Sequence, residues 1–328
     1  MQARCCRYEK STLMSYHETI NLSTKNSDYS GSPMNSIPPT TESAPSPDKP
    51  GMAKKWLVGI LVLTFAFVLM PFLLWYMTTF TRPLSDADLA SYFEDSLHPR
   101  RAQHALSQIA DRIMSPNANI RASAKTWYPV VIQFSEQGSD ELRVTSAWVM
   151  GQDNQSPEFH AALLKQLADA NPMVQRNAAL SLVRFADPAG HALIAGMLAP
   201  YKVDAQRTGI LSIRLKPGDA INPGTLLAHI TIGTDKTEVR SEVPGTIRQW
   251  ISSDNVQVTT GEPLLLVDPS PEMVWESLRA LFLIGLKEDL PAVNPYVRGA
   301  DGMPPQIQQQ AALTQREISA RNEKQPLQ

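Results

Sequence analysis

The sequence predicts an α+β multidomain fold in which an α-solenoid carries an inserted all-β module and is preceded by one transmembrane helix. Three observations predict it. An uncharged apolar run lies near residue 60, and a helical pattern recurs at a spacing of about 32 residues. Between two stretches of that pattern the chain changes to short alternating strands separated by Gly-rich turns.

Composition bounds the function before any element is placed. Thirty basic residues against 32 acidic ones leave a net charge of -2, so no global basic field draws phosphates and no nucleic-acid partner is expected. The two cysteines, Cys5 and Cys6, are adjacent and far from any predicted core, which excludes a disulfide framework or a Cys-rich metal site. They read as an incidental pair in a loose tail or, more sharply, as a reactive or lipid-modified pair.

Residues 1–53 are rich in Ser, Thr, Asn and Pro, as in Ser36-Ile37-Pro38-Pro39-Thr40-Thr41, and bury too little apolar surface to offset chain entropy. A disordered cytoplasmic tail is expected. Residues 54–80 contain the run Trp56 to Met77, about 22 residues without charge, long enough at 1.5 Å per residue to cross a hydrocarbon core of roughly 30 Å. Pro71 is tolerable in such a span, and Trp56, Trp75 and Tyr76 lie where aromatic belts form. A cleaved signal peptide is the alternative, but the run exceeds a typical h-region and no A-x-A-like site follows closely. Lys49, Lys54 and Lys55 precede the span and Arg82 comes after it, which predicts an inner-membrane anchor with the C-terminal domains in the periplasm of a bacterium.

Residues 84–203 read as helix, short break, helix. Ser85-Asp86-Ala87-Asp88 is an N-cap signal. In Asn171-Pro172-Met173-Val174-Gln175-Arg176-Asn177-Ala178-Ala179-Leu180-Ser181-Leu182, Asn is the cap, Pro the first helical residue, and Val174, Ala178 and Leu182 one buried face. Thirty-two residues earlier Leu142-Arg143, Ala147 and Met150 repeat much of the pattern. Pro99, Pro172 and Pro305 are followed at plus six and plus seven by Ala105-Leu106, Ala178-Ala179 and Ala311-Ala312. These spacings resemble the second helix of HEAT repeats of the phycobilisome-lyase-like type. Residues 270–324, opening with the run Trp275 to Gly285, resemble further helices of the same kind. Pro172 and Pro305 are 133 residues apart, and setting aside a β segment of about 66 residues leaves about two repeat lengths, so that segment reads as inserted into a continuing solenoid. An independent β domain followed by unrelated helices is the alternative.

The β segment, residues 204–269, has two similar halves. One runs from Gly209-Ile210-Leu211 to Gly224, the other from Gly245-Thr246-Ile247 to Gly261, and they end in Leu226-Leu227 and Leu264-Leu265-Leu266. The repeat resembles the barrel-sandwich hybrid of lipoyl and biotinyl domains, which also occurs in membrane-fusion proteins. That resemblance implies a carrier lysine in an Asp-Lys pair at a hairpin tip, and Thr234-Asp235-Lys236-Thr237 makes Lys236 the lipoyl candidate. The register argues otherwise: Gly224 to Lys236 is twelve residues and Lys236 to Gly245 nine, so a symmetric hairpin turns near Gly233-Thr234 and leaves Lys236 on the returning strand. The biotinyl Met-Lys-Met signature is absent. Lys236 is expected to be an ordinary solvated lysine, and no cofactor is expected.

No phosphate loop, zinc-ligand spacing or nucleophile elbow occurs, so no catalytic or metal residue is assigned. His17, His98, His104, His160, His191 and His229 are scattered, and His98 with His104 lacks a third ligand type. Asp86/Asp88 and Glu288/Asp289 fall at helix N-termini, where the helix dipole accounts for them. The expected function is a non-enzymatic, membrane-anchored scaffold that binds unidentified proteins. The alternatives are an accessory subunit of a membrane transport or respiratory complex, and an acyl carrier that depends on Lys236.

Overall fold

The computed structural model describes residues 60–61, 63–73 and 83–324. The tail expected over 1–53, with Cys5, Cys6 and His17, lies outside them.

The first expectation to be corrected is the membrane span. Among the described residues no helix is long and apolar enough to cross a membrane. Residues 60–61 and 63–73 are helical, a stretch of about 21 Å at 1.5 Å per residue against the roughly 30 Å of a hydrocarbon core. The rest of the expected 54–80 segment lies outside the described residues. The expected single-pass anchor and inner-membrane placement are corrected with it.

From residue 83 the chain is α+β. It comprises α1 (Asp86–Glu94), α2 (Pro99–Ile113), α3 (Ala118–Ala124), α4 (Tyr128–Gln137), α5 (Asp140–Met150), α6 (Pro157–Gln166), α7 (Pro172–Arg184) and α8 (His191–Gly196), then eight strands, then α9 (Pro271–Ile284), α10 (Leu290–Val297) and α11 (Pro305–Lys324). Ser85 starts the series with a reciprocal capping box: its Oγ accepts from the Asp88 amide while the Asp88 carboxylate accepts from the Ser85 amide.

Helices α2, α5, α7, α9 and α11 pack side by side in that order, and each of the shorter helices packs against a long one. A small residue six positions into each long helix makes the close approach possible: Ala105, Ser146, Ala178, Ser277 and Ala311 are all fully buried. Hydroxyls fasten the row at matching places. Ser181, nine residues beyond Pro172, donates to the Ala147 carbonyl at 2.8 Å, and Thr314, nine beyond Pro305, donates to the Leu278 carbonyl at 2.8 Å. Arg184 and Arg321 reach the C-terminal carbonyls of the preceding long helix, at Gly151 and at Leu283 and Phe282, where positive charge suits the exposed dipole end.

The strands do not interrupt this row. Ala179, Val183, Ile194 and Leu198 from before them share one core with Val274, Leu278, Leu281, Tyr296, Ile307 and Ala311 from after. Ser277 Oγ also donates to the Ile194 carbonyl across the insertion at 2.7 Å.

The strands are β1 (Tyr201–Asp204), β2 (Gly209–Ile213), β3 (Ala220–Ile221), β4 (Leu226–Ile232), β5 (Asp235–Arg240), β6 (Gly245–Trp250), β7 (Gln257–Val258) and β8 (Pro263–Pro269). They form two antiparallel sheets, β1-β8-β6-β3 and β5-β4-β2-β7, packed on one core of Leu211, Leu227, Ile230, Val239, Ile247, Leu265, Val267 and their neighbours. Among the described residues no barrel is closed, which corrects the expectation of a barrel-sandwich hybrid. Strands β3 and β7 are two residues long and run into Asn222-Pro223-Gly224 and Thr259-Thr260-Gly261, which turn the chain back before a ladder joins the sheets.

Adding four to each strand number converts one sheet order into the other, so the two sequence halves are related by a pseudo-two-fold. The hydrogen bonds obey it. Gly218 N donates to the Ile247 carbonyl and Asn255 N to the Leu211 carbonyl; Gly224 N donates to Ser241 and Gly261 N to Ala205, the last two at 2.7 Å. Gly224 and Gly261 have φ of 84° and 85°, a conformation open to glycine at no steric cost. A register shift between Ile247 and Gln249 gives the second half one extra residue, which accounts for its longer spacing.

Candidate functional site

Sheet β5-β4-β2-β7 turns one face to the shared core and the other outward. Register assigns the outward residues. Ala228, opposite Val239 and Ile213, belongs to the inner face, so the next residue, His229, points outward between Ser212 and Glu238. Thr231, between Ile210 and Lys236, is outward too.

The hairpin β4–β5 turns at Gly233-Thr234 with Gly233 at φ 58°, and Ile232 pairs with Asp235. Lys236 is opposite Thr231, two residues beyond the turn, and is exposed. His229 is only 8% exposed although its register places it on the outward face. Burial pushes its imidazole towards the neutral form, and the positive charges of Lys236, Arg214 and Arg240 push the same way, against Glu238. Glu238 is held by Arg240 at 2.7 Å. Among the described residues, Arg214 and Lys236 have no carboxylate partner.

The other residues singled out in the sequence are dispersed. His98 Nδ1 lies 2.9 Å from Asp95 Oδ2, and with Arg101 it holds that carboxyl below the usual aspartate range. His104 is beside the Tyr92 ring, 6.3 Å between centroids. Asp86 is paired with Arg112 at 2.5 Å, which lowers its carboxyl, while Asp88 serves the α1 cap. Glu288 is exposed and Asp289 is buried. Among the described residues no group of three or more His, Cys, Asp or Glu is arranged to hold a metal ion.

One periodic feature is hidden in the sequence. In three places a residue of a short helix donates to an aspartate just ahead of the next short helix: Tyr128 Oη to Asp153 at 2.6 Å, His160 Nε2 to Asp187 at 2.7 Å, and His191 Nε2 to Asp289 at 2.8 Å. The donors at 128, 160 and 191 keep the repeat spacing, which was the available signal; their residue types differ, which hid it.

No family model matches the chain. No curated protein matches it either. Among solved structures, it is similar to that of a single-chain, multi-domain long-chain acyl-CoA carboxylase, at 16% identity and a TM-score of 0.21. The match covers 42% of this chain and 14% of that one, so the chain spans a small part of that protein's length. A likeness at that score carries no argument.

The junction between module and helices is short and stiff. Strand β8 ends at Pro269, Ser270 Oγ accepts from the Met273 amide as the cap of α9, and Pro271 is the first helical residue. On the other side, Pro200 leads directly into β1. Met173 of α7 packs against the module core, and Tyr296 Oη, on α10, donates to the Leu198 carbonyl at 2.8 Å. Burial pushes the Tyr296 hydroxyl up to about 12, with Asp268 of β8 adding to the shift.

Proposed function

We propose that the protein is a non-enzymatic binding scaffold, in which the row of long helices and the outer face of the module engage a partner protein together. The observation that carries this reading is the junction at Ser270, where the residue that follows the last strand directly caps the next helix. A binding surface assembled from two elements gains from a fixed relation between them, because less order has to be imposed on association. A carrier domain needs a tether that lets its arm travel, and Pro269-Ser270-Pro271 supplies none. Lys236, beside the strand pairing and not at the turn, argues against the carrier reading as well. Stacked helix pairs of this spacing are used to bind proteins along extended faces.

The test is recovery of the tagged chain from its host under gentle conditions, followed by mass measurement in solution. The expected result is a complex heavier than the 36.2 kDa chain that contains a second polypeptide in fixed ratio. Recovery as a monomer alone would overturn the proposal.

A further inference from the structure

The outer face of sheet β5-β4-β2-β7 deepens the scaffold reading, and the proposal made for it rests on that reading. Three cations, Arg214 at the end of β2 and Lys236 and Arg240 on β5, gather around His229 on β4. Glu238 is the one carboxylate acting on His229 from this face, and Arg240 already pairs with it. The concentration of charge is local. Residues 201–269 hold seven Lys and Arg against eight Asp and Glu, and the whole chain is -2, so this face is positive against a background that is not. Like charges brought together over a covered imidazole repel one another, and among the described residues nothing neutralises Arg214 or Lys236.

We propose that this face docks an acidic polypeptide segment of the partner, with Arg214 and Lys236 binding its Asp or Glu carboxylates and His229 beneath them. Charge complementarity selects the occupant. An acidic peptide offers a few carboxylates at side-chain spacing, which suits a patch of three cations with Glu238 in its midst. A nucleic acid needs a broader positive field than a chain of net charge -2 provides. Ser212 and Thr231, also on the outer face, add neutral hydroxyl partners. Burial and then the positive charges of Lys236, Arg214 and Arg240 hold His229 neutral; a bound carboxylate offsets the charge contribution, so docking favours proton uptake by the imidazole. The groups facing His229 are Arg214 from the β2 side and Lys236, Glu238 and Arg240 from β5, and the carboxylate changes the balance of that set. A ligand that prefers protonated His229 therefore binds more tightly as pH falls.

The experiment measures anisotropy of a fluorescein-labelled hexaglutamate peptide with the full chain at pH 6.5 and pH 8. Expected are saturable binding that is tighter at the lower pH, a loss of about tenfold or more in Arg214→Gln/Lys236→Gln, and no such loss in Arg100→Gln/Lys125→Gln, which removes equal charge elsewhere. His229→Asn is expected to bind but to lose the pH dependence. The imidazole resonance of His229 in the wild type supplies a readout that needs no variant: it should move towards the protonated form on adding peptide. Equal losses in the two double variants, no binding, or equal displacement of the peptide by a single-stranded oligonucleotide and by unlabelled peptide would overturn the proposal. If the partner recovered from the host binds the Arg214→Gln/Lys236→Gln variant unchanged, this site is wrong while the scaffold reading stands.

Discussion

His191 and Asp289 are 98 positions apart, yet the imidazole donates to a carboxylate that is 5% exposed and also accepts from the Leu286 amide at 2.7 Å. Removing the imidazole leaves a buried charge short of a partner. His191→Ala is therefore predicted to lower stability by about 2 kcal/mol, read by urea unfolding, and an unchanged midpoint would show that water replaces the histidine without cost. At Asp187 the Ala189 amide, and then His160, hold the carboxyl below the ordinary value of 3.8. A depressed carboxylate stabilises the fold above its unfolded pKa and loses that contribution as pH falls through the folded one. Unfolding measured from pH 6 to pH 2 should thus show a smaller acid loss in Asp187→Asn than in the wild type. Gly151 is a third residue with a definite expectation, because an added Cβ would lie 2.4 Å from Ser181 Oγ and 3.2 Å from the Ser181 backbone. Gly151→Ala should separate α5 from α7 and lower the melting temperature by several degrees, on the order of 2 kcal/mol.

At the scale of elements, much was legible in the sequence because it was periodic. The Pro–Ala spacings of Pro99, Pro172 and Pro305 marked three of the five long helices, and the cap at Ser85 stands where its pattern placed it. The same spacing does not mark the other two, where serine stands in the small-residue place as Ser146 and Ser277; Leu142-Arg143 with Ala147, and the run Trp275 to Gly285, marked them instead. The β halves were legible through Gly224 and Gly261, and the hairpin turn came from counting between glycines. Sheet closure was not legible, since it depends on whether two-residue edge strands find partners across the sheets. The apolar run near residue 60 was read by length and charge alone, and its described helix is too short for the span expected of it. The hydroxyls joining long helices give a direct prediction: Ser181→Ala and Thr314→Val should each cost about 1 kcal/mol, a typical net value for one intramolecular hydrogen bond. Thermal unfolding of the two single variants and the double checks it, and the sites should add because they fasten different helix pairs.

For the whole molecule, the candidate site was less legible than the fold. Lys236 stood out by its neighbours in sequence, whereas Arg214, His229 and Arg240 acquire meaning only when β2, β4 and β5 are paired. The same holds for the Ser270 junction, which is an ordinary Pro-Ser-Pro until its two sides are known to be a strand and a helix. Above all, the helices on either side of the module share one frame, which is predicted to stand without the module. They share the core of Ala179, Ile194, Val274, Leu278 and Tyr296, and are tied by Ser277 to Ile194 and by His191 to Asp289. The most direct measurement of that independence is chemical denaturation, read by far-ultraviolet circular dichroism, of a chain in which a short flexible linker replaces residues 201–269. A helical spectrum and a single cooperative transition are predicted, shifted to lower denaturant by the loss of the Met173 contact; gradual loss of signal without a transition, or two separate transitions, would contradict a shared frame.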